Sequence, residues 1–123
     1  MEWQMCIRKE EGYGEVITKG FADHESSIAM AKDIAQYMRK NKIKRVLIDH
    51  RLIEGVSGST VKIYQRPAIF RMIGVLMNIR IAEVIDPKYI KHFRFFETVC
   101  MNQGFHVSVF QDPTAALEWL MQQ

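Results

Sequence analysis

Two aspartate–proline pairs, Asp86-Pro87 and Asp112-Pro113, constrain this chain more than any other feature. Aspartate at an N-cap accepts a hydrogen bond from an amide that the helix leaves orphaned. Proline at the first helical position gives up no bond and fixes φ in advance. Each pair directly follows an apolar strand-like run, Ile79 to Ile85 and Phe105 to Phe110. The second half therefore reads strand, helix, strand, helix. Such units join parallel strands by crossover helices and place helices on both faces of a sheet. The first of these helices is expected to run to Gln103, with Ile90, Phe93, Phe96 and Cys100 on one face and Gly104 just past its end. The second buries Ala116, Leu117 and Leu120.

The first half supplies the rest of the sheet. Trp3, Met5 and Ile7 alternate with Gln4, Cys6 and Arg8, the period of a strand with one buried face. Gly12-Tyr13-Gly14 reads as a turn into a second strand, Glu15 to Lys19, and so short a link implies an antiparallel hairpin. Asp23 caps a helix whose inward positions are Ile28, Ala31, Ala35 and Met38. Val46-Leu47-Ile48 is a continuous apolar run, as expected of a central strand covered on both faces. Leu52 to Thr60, with Gly55 and Gly58, reads as a loop. A helix then starts near Ser59, with Ile69, Met72, Ile73 and Leu76 as its buried stripe, and Pro67 either kinks it or begins a second helix. The expected fold is α/β: one mixed, mostly parallel five-stranded sheet with about four helices on its faces, in the order β-β-α-β-α-β-α-β-α. The whole chain, 1–123, forms a single domain.

Composition narrows the function. Apolar residues make up 48% of 123 residues, enough to build a core without metal or disulfide staples. The most apolar stretch, Ile69 to Met77, is interrupted by Arg71 and falls far short of the ~20 residues of a membrane span. Met1-Glu2-Trp3-Gln4-Met5 lacks the basic-then-apolar pattern of a signal peptide, so the expected compartment is the cytoplasm. Cys6 and Cys100 then stay reduced. His24, His50, His92 and His106 share no metal-ligand spacing with each other or with the cysteines, so no metal site and no cofactor is expected. Residues 58–96 carry 7 Lys/Arg against 2 Asp/Glu, but no nucleic-acid reader motif accompanies that excess. The run Arg39, Lys40, Lys42, Lys44 and Arg45 suits a helix C-terminus facing solvent. No motif activates a nucleophile, and no catalytic residue is expected.

The element order resembles the STAS fold of bacterial anti-anti-sigma factors and of the cytoplasmic ends of sulfate transporters. The residues that carry the resemblance are Val46-Leu47-Ile48-Asp49 as third strand and Val56-Ser57-Gly58-Ser59-Thr60 entering a helix. The C-terminal run from Phe95 to Val99, Asn102 to Phe110 and Ala115 to Leu120 completes it. That run is similar to small bacterial proteins grouped as STAS-like or CRAL-TRIO lipid-transfer-like. The resemblance covers nearly the whole chain. In anti-anti-sigma factors a serine at the start of the second helix is phosphorylated to break partner binding. This implies Ser57 and Ser59 as phosphorylation candidates, although Val56 stands where that family carries aspartate. The alternative for Ser59 is a plain helix cap.

Position picks the candidate site. Ligands of open α/β sheets settle at the carboxyl ends of strands. Asp49, Arg51, Ser57, Gly58, Ser59 and Thr60 are expected there, with Arg51 offering a donor fork to a carboxylate or phosphate. Tyr64 and Phe70 on the following helix extend the ligand- or partner-binding set. The expected function is a non-catalytic regulatory module that binds a partner protein. The alternative is a carrier or sensor of a small apolar or lipid ligand, with a cavity lined by Tyr64, Ile69, Phe70, Met72 and Phe93. A homodimer is among the assemblies the sequence allows.

Overall fold

The computed structural model describes residues 1–57, 59–72 and 79–122, with only the backbone of Thr60 and Met72. Five strands, β1 (Glu2–Arg8), β2 (Tyr13–Ala22), β3 (Arg45–Val56), β4 (Arg80–Val84) and β5 (His106–Phe110), form one sheet in sequence order. Helices α1 (His24–Asn41), α2 (Thr60–Met72), α3 (Ile90–Asn102) and α4 (Pro113–Leu120) alternate with them. β1 and β2 form the antiparallel hairpin, with Trp3 opposite Thr18 and Met5 opposite Val16, and every later pairing is parallel. The expected α/β architecture is therefore the one found.

Helices α1, α2 and α3 share one face of the sheet. Met30, Ile34 and Met38 of α1 pack on Val16, Val46 and Ile48, while Trp3, Met5 and Ile7 close that layer from the edge strand. Phe93 of α3 packs on Ile53, Ile85 and Val109, and Cys100 joins Phe70, Phe105 and Val107. The opposite face carries α4 alone, whose Ala116 and Leu120 sit on Leu47, Ala82 and Val84. Arg80 holds α4 in place: its guanidinium lies 4.3 Å from the Trp119 ring centre and donates to the Trp119 carbonyl at 2.7 Å. Val46, Leu47 and Ile48 are all buried, as the central strand of a sheet covered on both sides requires.

The caps follow their residue chemistry. Asp23 accepts from the Ser26 amide at 2.7 Å, and this bond holds its carboxyl below the usual range. Asp112 accepts from the Thr114 and Ala115 amides at 3.2 and 3.3 Å. Asp86 accepts from the Lys88 amide, but Asp86-Pro87 opens a 3-10 turn at Pro87–Tyr89 before α3 begins, a correction to the expected direct helix start. The Tyr89 amide donates to the Asp86 carbonyl at 3.0 Å, the shorter-period bond that tightens a first turn.

Two strands run further than the sequence suggested. β2 begins at Tyr13 and reaches Ala22, and β3 continues to Val56, so most of the expected loop from Leu52 onward is strand. The pairing shifts from Ile17–Asp49 to Lys19–Leu52 and from Gly20–Ile53 to Phe21–Gly55, so β3 takes up an extra residue at each step. Such bulges spoil the period-two pattern on which strand recognition rests. The Phe21 ring lies on Gly55: a β-carbon there would come within 2.7 Å of that ring and push it aside. Pro67 lies within α2 and begins no second helix among the described residues. Ile73 and Leu76, expected on the buried stripe of α2, lie outside the described residues, as does the side chain of Met72.

Candidate functional site

At the carboxyl end of β3 the chain alternates faces. Asp49 and Arg51 project together on one side, and His50 projects on the other. Arg51 donates from Nε to Asp49 Oδ1 at 3.0 Å and from Nη2 to Oδ2 at 2.8 Å. Asp49 thus holds the Nε–Nη2 edge of the guanidinium, while the Arg51 side chain stays half exposed. Burial opposes ionisation of Asp49, but the Arg51 hydrogen bonds outweigh it and keep the carboxyl below its usual range. Ser57 is exposed, and its amide donates to the Ala22 carbonyl at 2.9 Å, tying this segment to the end of β2. Ser59 is exposed and caps α2, its Oγ accepting from the Lys62 amide at 3.2 Å. Gly58 lies outside the described residues, and Thr60 opens α2.

Four large apolar side chains stand in solvent on these same segments. Phe21 is 51% exposed, Leu52 61%, Val61 63% and Tyr64 64%. Val61 and Tyr64 are three apart on α2 and share one face of its first turns. Phe70 is instead buried and meets Phe96 and Phe105 edge-on at 6.0 and 6.1 Å.

His50 turns the other way, under the helices, into a cluster that sequence reasoning missed. Its Nε2 donates to Glu83 Oε2 at 2.6 Å, its Nδ1 meets the Thr18 hydroxyl at 2.7 Å, and Phe93 stacks on its ring at 5.0 Å. Thr18, His50 and Glu83 come from three adjacent strands and are all buried. A hydroxyl, an imidazole and a carboxylate in that order have the connectivity of a nucleophilic triad. Thr18, however, has no exposed surface and does not line the neighbouring cleft, so its hydroxyl is out of reach of a substrate. The chain of bonds clamps β2, β3 and β4 together. Arg66 of α2 enters the same layer, 4% exposed, donating from Nε to His24 Nδ1 at 3.3 Å with its guanidinium 5.6 Å from the Phe96 ring centre. Burial lowers the pKa of Arg66 and, with Arg66 as second cause, those of His24 and His92, which favours neutral imidazoles. Between the three helices and the sheet lies a cleft of about 80 Å3, with an apolar wall and with Arg66, His50, Glu83 and His92 at its polar end. Of the five residues expected to line a carrier cavity, Phe70 and Phe93 line this one, whereas Tyr64 is on the surface. Among the described residues no group of three His, Cys, Asp or Glu is placed to hold a metal. None of their helices is long and apolar enough to cross a membrane. Cys6 is exposed and Cys100 buried, with burial pushing the Cys100 thiol pKa up.

No protein-family model matches the sequence, and no curated protein matches it. Solved structures do match the fold. An anti-sigma factor antagonist from Mycobacterium paratuberculosis superposes with a TM-score of 0.62 at 13% identity, over 98% of this chain and 96% of that one. The anti-sigma factor antagonist SpoIIAA in its unphosphorylated form gives 0.55 at 12% identity, over 99% of this chain and all of that one. An uncharacterised DUF3478-family protein from Shewanella loihica, described as having a SpoIIAA-like fold, gives 0.58 at 17%, over 97% of this chain and 92% of that one. The chain has a SpoIIAA-like fold. The STAS-like resemblance read from Val46 to Thr60 and from the C-terminal elements is thereby upheld at the level of fold. Within the SpoIIAA-like frame the polar cluster had one legible signal. Glu83 sits mid-strand in the otherwise apolar Ile81 to Ile85, and a carboxylate there must find partners across the sheet.

Proposed function

We propose that this protein is a non-catalytic regulatory module of the cytoplasm that binds a partner protein, with its docking surface at the carboxyl end of β3 and the first turns of α2. The observation that carries this reading is the exposure of Phe21, Leu52, Val61 and Tyr64 on segments that meet there. Phe21 lies on Gly55, Ser57 bonds to Ala22, and α2 opens at Thr60. Exposed aromatic and aliphatic side chains ringed by a polar rim are the usual make-up of a protein-binding surface. Two structural neighbours are anti-sigma factor antagonists, which favours the same class. The alternative, a carrier or sensor of a small apolar or lipid ligand, has less support: the cleft of about 80 Å3 falls short of the roughly 300 Å3 of a drug-sized or lipid pocket.

Ser59 is the natural control point. A phosphate on it would sit at the N-terminus of α2, where unpaired amides and the helix dipole favour negative charge, so the fold would tolerate it. A docked apolar partner would not, because it would bury that charge unpaired. Affinity capture with wild type, Leu52→Glu, Tyr64→Glu and Ser59→Asp tests the reading, with each variant's fold checked by circular dichroism. The expected result is one protein held by wild type and lost by all three variants. Retention of every wild-type partner at unchanged affinity by all three would place the surface elsewhere.

A further inference from the structure

The cleft between α1, α2, α3 and the sheet holds two unpaired polar atoms of opposite kind. Arg66 Nη2 is a donor without an acceptor, and Glu83 Oε1 is an acceptor without a donor. Both side chains are 4% exposed, both line the cleft, and no ion pair joins them. Buried polar atoms are almost always satisfied, so two in one cleft define what would complete them. The complement to Arg66 is an acceptor, and the complement to Glu83 is a donor. Arg66 and Glu83 are opposite charges on one cleft, and Glu83 is already bonded to His50 through Oε2, so a ligand with a net charge would lack a free counter-charge of its own. Burial and the nearby Arg66 hold His92 toward its neutral form, so it adds no counter-charge to the site.

We propose that this cleft is a binding site for a small neutral molecule bearing a hydrogen-bond acceptor and donor side by side, an amide or a hydroxyl, on a short apolar body. The head sits between Arg66 and Glu83. The body lies along Met30, Ile34, Ile48 and Phe70, which line the cleft with almost no polar surface between them. A space of about 80 Å3 is roughly half the ~150 Å3 cavity that takes benzene, which fits a body of about three carbons. Of the half-buried lining residues, Ile81 belongs to the sheet, whereas Ser27 and Ala31 of α1 and His92 and Phe96 of α3 form the helical lip through which it enters. This site and the docking surface of Phe21, Leu52, Val61 and Tyr64 share no residue, so either can fail without the other.

The test uses the full chain and four probes with one three-carbon skeleton: propionamide, 1-propanol, propionate and propylammonium. Binding is read from saturable NMR shifts of the Ile34 and Ile48 methyl groups. The neutral probes are expected to bind at least about tenfold tighter than the charged ones, because only they match both orphan atoms. Arg66→Met is expected to weaken the neutral probes by about tenfold or more, the value of a hydrogen bond from a charged donor. Ala35→Leu fills the cleft without touching a polar group and is expected to abolish binding. Ala31→Leu, at the lip, serves the same end should the buried variant fail to fold. Three results would each overturn the proposal: no saturable shift with either neutral probe up to its solubility limit, equal binding of the charged probes, or binding indifferent to both Arg66→Met and the filling variant.

Discussion

Replacing Thr18 by valine tests the clamp beneath the helices directly. The two side chains have the same shape, so no void opens, and only the hydroxyl is lost. That hydroxyl meets His50 Nδ1 at 2.7 Å and lies 3.3 Å from the Asp49 carbonyl, in a side chain with no exposed surface. Without it Nδ1 of His50 stays buried with no partner, which costs about 1–3 kcal/mol. The longer contact to Asp49 adds little, and the extra methyl group of valine recovers part of the loss. A net destabilisation of about 2 kcal/mol follows, or about 8 °C in Tm for a chain of 123 residues. Thr18→Ser is the matched control: it keeps the hydroxyl, loses one buried methyl, and should cost about 1 kcal/mol. Thermal and urea unfolding rank the two variants, and imidazole 15N shifts report on His50. If the valine variant is as stable as wild type, or more stable than the serine variant, the hydroxyl does not hold the imidazole and the argument for the clamp collapses.

Two further predictions concern caps and pH. Asp112→Ala removes the acceptor for two amides of α4 and should lower stability by about 1 kcal/mol, seen as a lower denaturant midpoint; no change would mean that the cap contributes nothing. His24 and His92 titrate below 6.5 in the folded chain, so below that pH the unfolded chain binds more protons and stability falls, while above it their contribution is complete. The urea midpoint should therefore drop between about pH 7 and pH 5.5, and the double variant His24→Gln, His92→Gln should flatten that drop; an equal drop in both proteins would assign the effect to other groups.

The parts of this fold that were legible were those governed by local chemistry. Asp23, Asp112 and Gly104 act where their residue types say they should, and the apolar run Val46 to Ile48 is the middle strand. The misreading of Leu52 to Val56 came from two bulges and from Gly55, whose missing side chain makes room for the Phe21 ring rather than for a turn. The site was legible only in outline. Ser59 as helix cap follows from its neighbours in sequence, whereas Asp49 taking up Arg51 depends on strand geometry. His50, Glu83, Thr18 and Arg66 meet across four elements between 18 and 83, and no local pattern marks a contact of that kind.

Strand order that repeats sequence order also bears on how the chain can form as it is synthesised. Each strand after the first emerges next to a partner already made, so the sheet grows outward from the hairpin along one edge only. The longest segment closed between paired strands runs from 57 to 79, between β3 and β4, and closure entropy rises only slowly with such lengths. Every intermediate then exposes a single growing edge, and the next strand to leave the ribosome covers it. Helix α4 arrives after the strands it rests on are complete, so Leu47, Ala82 and Val84 wait uncovered until it emerges. A stall before α4 emerges would add this apolar face to the open edges of β1 and β5 as surface that chaperones meet.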